Sequence, residues 1–239
     1  EASGTAAKVV YVTASGIGLV ALCFCWLPRK LARANAYMFA SSVLYIPVNG
    51  AVDYWFTAEP ECVPGGPHFD LQYYISVGAI VSSIFAAIGV LVFRSCFKGW
   101  GYRQMFLATT AVRIVAASTD IIILNRWNTM AGMPDKALFL VGDAALQPLA
   151  ATLEAMPMVL LTSELAKGGA ESTTYAILAG FQNFGGAIAA TYGYLLQERM
   201  GVSFSQDNDC SYGNIARLVG VAHILLPMLT VPLTFALID

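Results

Sequence analysis

Seven apolar stretches, each close to the roughly 20 residues that cross a hydrocarbon core, recur along the chain at 6–27, 34–56, 71–93, 105–124, 137–161, 175–196 and 215–238. The links between them are short, polar and rich in Gly, Pro, Asn and Asp, so none has the makings of a separate soluble domain. The pattern predicts an all-α membrane protein, a polytopic helix bundle of about seven transmembrane helices. The first stretch follows Glu1-Ala2-Ser3-Gly4, with neither a methionine nor a basic leader segment. It does not read as a signal peptide, and the chain reads as a piece of something longer.

Polar residues interrupt these stretches at helical spacing. In the fourth, Thr109, Arg113, Ala116 and Asp120 fall at i, i+4, i+7 and i+11 and so share one helical face. In the fifth, Asp143, Gln147, Ala150 and Glu154 repeat that spacing, with Pro148 and Pro157 interrupting the backbone ladder beside it. Tyr45, Asn49 and Asp53 form a third stripe in the second stretch, and Asn183 stands among Gly180, Gly185 and Gly186 in the sixth. A charge within a span costs at least ~2.5 kcal/mol, so it is kept mainly for function and faces the bundle interior or a wet cavity. With antiparallel neighbours and a rise of ~1.5 Å per residue, Asp120 and Asp143 come to similar depth, about a third of the way in from the outer face, and Arg113 lies near mid-membrane. Two readings stay open. The groups either line a solute path or form static salt bridges, such as Arg113 with Asp120, that pin the helices. The excess of carboxylates over cations at depth favours the path, and an unpaired carboxylate in low dielectric can take up and release protons.

Composition supports the setting. Charged residues make up 12% and hydrophobic residues 57% of the chain, against about 25% charged in soluble domains. The net charge of -2 shows no basic excess of the kind nucleic-acid binding requires. His68 and His223 are too far apart in sequence to suggest a zinc cluster, and no phosphate loop, nucleophile elbow or metalloprotease helix is present. An enzyme, a cofactor and a nucleic-acid partner are therefore not expected.

Basic residues orient the bundle. Arg29, Lys30 and Arg33 fill the first link, Arg94, Lys98 and Arg103 the third, and Lys167 the fifth, whereas the second link, 57–70, has no Lys or Arg. Odd links are thus expected in the cytosol. Even links carry Glu59, Glu61, Asp70, Asp207 and Asp209, with a lighter basic load of Arg126, Lys136 and Arg199. Cys62 and Cys210 fall in two outer links, where an oxidising compartment permits a clasp between them, the alternative being two unpaired thiols. Cys23, Cys25 and Cys96 are expected to stay reduced. Small residues at 176/180, 185/189/193 and 186/190 let another helix approach closely, while His223 reads as a packed residue with one hydrogen bond.

Several motifs together resemble a known family. The runs Asp53-Tyr54-Trp55-Phe56-Thr57-Ala58 and Cys62-Val63-Pro64-Gly65-Gly66-Pro67-His68-Phe69, then Asn125-Arg126-Trp127-Asn128, Gly132-Met133-Pro134-Asp135 and Gly142-Asp143-Ala144, look like kinetoplastid-type folate-biopterin transporters. So do Met156-Pro157-Met158-Val159-Leu160-Leu161 and the stretch from Gly169 to Asn183. The resemblance covers the chain from about Leu31 onward. That family is similar to the major facilitator superfamily, with twelve spans in two six-helix halves. It implies that residues 1–30 hold the sixth span and the start of the link between halves, and that 31–239 form the C-terminal six-helix bundle, whose partner is an N-terminal half lying outside this sequence. The implied activity is secondary, proton-coupled, alternating-access transport of pterins or folates in a plasma membrane, with lipid and the small-molecule substrate as partners. In that reading Asp53, Asp120 or Asp143 meets the pterin ring edge and Arg113 the glutamate tail. Gln147, Asn49 and Asn183 are neutral partners, and Glu154 joins Asp120 in proton coupling. Another solute in the same fold, such as S-adenosylmethionine, and a non-transporting receptor or scaffold remain as alternatives.

Overall fold

The computed structural model describes the backbone of residues 2–166, 171–203 and 210–238, and the side chains of these except residues 2–8 and Asn49. Lys167, Asp207, Asp209 and the Gly169-Ala170 pair of the family-like motif lie outside it. The regular secondary structure of the described residues is helical, apart from an isolated bridge between Ser203 and Ser211. We number the helices α1 (Ala2–Trp26), α2 (Arg29–Leu44), α3 (Asn49–Thr57), α4 (Tyr73–Cys96), α5 (Tyr102–Leu124), α6 (Trp127–Met130), α7 (Asp135–Leu165), α8 (Glu171–Met200) and α9 (Ile215–Leu237).

Five of these, α1, α4, α5, α7 and α9, are long and apolar enough to cross a membrane. The two other expected spans take different forms. The sixth stretch is the 30-residue α8, long enough at ~45 Å but diluted by its polar residues. The second stretch is not one helix. It unwinds at residues 45–48, where Tyr45 is extended (φ -95°, ψ 94°), and resumes as α3. Pro47 accounts for the break: it has no N–H to donate, and its ring disfavours helical geometry at Ile46. Tyr45, Asn49 and Asp53 therefore do not form one continuous helical stripe.

Three wide π-helical turns lie within the long helices, at Tyr73–Val77, Gly142–Leu146 and Gly220–Leu225. The last two have an identifiable cause. Pro148 and Pro227 each stand two positions past the end of a π turn, and neither can donate to the residue four positions earlier, Ala144 or His223, both within the π turn.

The bundle closes around α2 against α8 and α7 against α4 and α5, while α1 rests on the outside of α2 and α8. Glycine permits close approach of α8 to the second span: a Cβ on Gly193 would sit 2.7 Å from the Pro47 carbonyl oxygen, and one on Gly185 2.8 Å from that of Phe39. At one end, Phe56 stacks on Phe69 (5.6 Å) and packs edge-on to Phe139 (5.4 Å). Cys62 and Cys210 are joined there as a disulfide, their Cα atoms 5.5 Å apart. Arg126 holds Asp135 through two parallel bonds of 2.8 Å, and Asn128 donates to the same carboxylate at 2.7 Å. At the other end Arg33 and Arg103 donate to the last carbonyls of α9, Arg103 to Ile238 at 2.7 and 3.0 Å. The basic first and third links thus share one face, opposite the disulfide. Cys23, Cys25 and Cys96 are free thiols.

Candidate functional site

Two polar interiors lie along the bundle. The larger is a cavity of about 330 Å³, walled by Ser41, Ser42 and Tyr45 of the second span, Arg113 of α5, Glu154 and Met158 of α7, and Gln182 and Gly186 of α8. Arg113 and Glu154 form an ion pair whose side chains are only 16% and 20% exposed. The Arg113 guanidinium also lies over the Tyr45 ring, 3.3 Å from its centre, a cation–π contact. The within-helix pairing of Arg113 with Asp120 considered from sequence is not the one found, because the two are seven residues apart on α5 whereas Glu154 stands opposite on α7. The cavity thus offers a cation and an anion side by side, a flat aromatic face, and hydroxyl and amide groups.

The smaller interior is a chamber of about 40 Å³ bounded by Val52, Asp53, Asp120, Asp143, Gln147 and His223. Two π turns supply groups here, Asp143 from the second and His223 from the third, and Tyr74 of the first donates its hydroxyl to the lining Asp53 Oδ1 at 2.6 Å. Such turns swing a side chain out of its helical register and recur at functional sites. Asp120 is buried, and its Oδ2 accepts from Gln147 Nε2 at 2.8 Å.

His223 links the two interiors. Its Nε2 donates to the Ile46 carbonyl at 3.1 Å, satisfying a backbone group that the break at Pro47 frees. Its ring stacks on Tyr45, centroids 4.9 Å apart and planes 11° from parallel. The single hydrogen bond matches the packed residue expected, yet it falls on the broken helix between cavity and chamber.

Of the residues singled out from sequence, Arg113 and Glu154 line the cavity, and Asp53, Asp120, Asp143 and Gln147 the chamber. Asn183 is exposed on α8 and joins neither, whereas its neighbour Gln182 lines the cavity and donates to Met158 Sδ at 3.3 Å. The side chain of Asn49 lies outside the described residues. Gln182 and Ser41 are not singled out from sequence, and His223 only as a packed residue; for His223 the signals are Pro47, which frees the Ile46 carbonyl, and Pro227, which follows its π turn.

These features define an integral membrane protein, a polytopic α-helical bundle with a charged interior. The sequence model of the BT1 family matches residues 5–239, and the chain belongs to that family. It is 25% identical over 210 residues to probable folate-biopterin transporter 6 of Arabidopsis thaliana, covering 88% of this chain and 40% of the relative. It is 28% identical over 201 residues to probable folate-biopterin transporter 2 of the same plant, covering 82% and 38%. A folate-biopterin transporter of Synechocystis sp. is 26% identical over 151 residues, covering 62% and 29%. The chain thus spans about two fifths of the length of the first two of these relatives.

Proposed function

We propose that this chain is the sixth span and C-terminal six-helix half of a secondary transporter of pterins and folates, working by proton-coupled alternating access in a plasma membrane. The observation that carries the reading is the Arg113–Glu154 pair on the wall of a cavity whose size suits a small organic solute, in a chain whose relatives are named as folate-biopterin transporters. A buried pair of opposite charges holds the site together; folate, with an anionic glutamate tail and an amino–oxo ring edge, exchanges that one contact for two, whereas biopterin, which has the ring edge but no anionic tail, meets Glu154 alone. Arg113 takes the carboxylate tail and Glu154 the ring edge, with Tyr45 stacking on the flat heterocycle. The aspartates of the chamber stand apart from this step, because about 40 Å³ has room for roughly three waters and none for a bicyclic ring.

Uptake of labelled biopterin and folate by the full-length protein tests the reading, with S-adenosylmethionine as competitor. Biopterin or folate uptake is expected, and Arg113→Ala is expected to lower folate uptake at least about tenfold, as loss of a charge-assisted contact of about 1.5–3 kcal/mol implies. Uptake of neither solute, or an Arg113→Ala variant that transports folate like the wild type, overturns it.

A further inference from the structure

The chamber differs from an ordinary polar core in what its groups can still accept. Its donors are turned onto the protein: the Gln147 amide onto Asp120, the Tyr74 hydroxyl onto Asp53, and the His223 Nε2–H onto the Ile46 carbonyl. A carbonyl can only accept, so Nε2 carries the proton and Nδ1 of the neutral ring is a bare lone pair. His223 is 3% exposed and its Nδ1 has no partner. Three carboxylates from three helices, α3, α5 and α7, border the same space. The charged group across from them, Arg113, is engaged by Glu154 and Tyr45 on the cavity side. A space bounded by acceptors and anions inside a membrane, with Asp120 and His223 buried and Asp53 at its exposed edge, calls for a cation.

Size and geometry narrow the occupant. About 40 Å³ accommodates roughly three waters, which excludes an organic cation of any bulk. Among the described residues no three acidic, histidine or cysteine side chains converge closely enough to hold a metal ion directly. A small monovalent cation that keeps water around it remains: hydronium, or a hydrated alkali ion. We propose that the chamber is the seat of the coupling cation, and that His223 is the positioning residue through which its occupancy reaches the solute cavity. The inference rests on the transport reading above. Occupancy beside His223 acts on a ring that also holds the Ile46 carbonyl and supports Tyr45, on which the Arg113 guanidinium lies. The groups facing this route are Asp53 of α3, Tyr74 of α4, Arg113 and Asp120 of α5, Asp143 and Glu154 of α7, and His223 of α9.

The full-length protein in sealed vesicles provides the test, with labelled biopterin or folate accumulation measured under an inward pH gradient and, separately, an inward sodium gradient against choline. The pH gradient is expected to raise wild-type accumulation about tenfold, identifying hydronium in line with proton coupling; a response to sodium alone supports the cation seat but overturns the proton as the coupling ion. Asp143→Asn, close in shape, is expected to remove that response. His223→Gln, which can still donate to Ile46 but lacks the imidazole lone pair, is expected to reduce it severalfold. Wild-type protein that equilibrates solute yet responds to neither gradient overturns the cation seat while leaving transport intact, as does an Asp143→Asn variant that responds like the wild type. If the wild type moves neither solute, transport itself has failed. The melting temperature of purified protein then decides: a shift with sodium over choline, or with pH, that Asp143→Asn abolishes supports the seat, and identical behaviour of wild type and variant overturns it.

Discussion

Arg113 and Asp120 lie two turns apart on α5, yet their surroundings are opposite. Arg113 meets a carboxylate and an aromatic face in an open cavity of about 330 Å³, whereas Asp120 meets two more carboxylates, an amide and a histidine around a chamber of about 40 Å³. Where unlike charges are already paired, a ligand enters by exchanging contacts. Where like charges are gathered, the site is incomplete until something positive arrives. The comparison teaches that burying charge in a membrane has two stable solutions, internal pairing and external completion, and that one helix can carry both.

The sharpest way to break that distinction is to remove half of the pair. Arg113→Ala leaves Glu154 charged and largely buried, and loss of one partner of such a pair destabilises by about 3–5 kcal/mol. Thermal unfolding of the full-length protein is expected to show the corresponding drop in melting temperature. The double replacement Arg113→Met with Glu154→Met is expected to recover most of it without restoring solute binding, because well-packed apolar residues substitute for a buried pair as structure but not as a site. A double variant as unstable as the single one removes the pairing account.

In the chamber the sign reverses. Asp143→Asn relieves repulsion among carboxylates, so its melting temperature in the absence of added cation is expected to rise by a few degrees, corresponding to about 1 kcal/mol. A fall of similar size means that Asp143 is held by a partner in the way Glu154 is, and the two interiors then do not differ in kind.

Much of this arrangement was legible in the sequence, and what was not has particular causes. The i, i+4, i+7, i+11 stripes on α5 and α7 follow from helix geometry, and the structure turns both inward. Basic residues in alternate links located the face where Arg33 and Arg103 cap α9, and compartment reasoning brought Cys62 to Cys210. Spacing could not reveal the π turns, because one extra residue in a turn leaves the hydrophobic pattern almost unchanged while rotating Asp143 and His223 about their helix axes. A similar angular argument separates Asn183 from Gln182: neighbours on a helix point ~100° apart, so one residue decides between surface and cavity. Part of the family-like motif has a structural explanation too, since Arg126 and Asn128 both donate to Asp135 and stiffen the fourth link.

The finest probe concerns where the chamber ends. Asp53 is exposed on α3, and the Tyr74 hydroxyl donates to it from the first π turn at 2.6 Å. Tyr74→Phe removes that donor alone, because the ring packs against Phe139 at 5.1 Å and Phe56 at 5.7 Å and these contacts survive the change. Water can replace the lost bond at an exposed carboxylate, so the stability effect is expected to be about 0.5 kcal/mol. The ion response is the informative quantity. If Asp53 helps to complete the cation's surroundings, releasing it from Tyr74 shifts the cation concentration needed for half-maximal accumulation severalfold, while the half-saturating solute concentration stays put. A shift in the solute constant instead joins Asp53 to the cavity, and a change in melting temperature alone leaves the chamber to Asp120, Asp143 and His223.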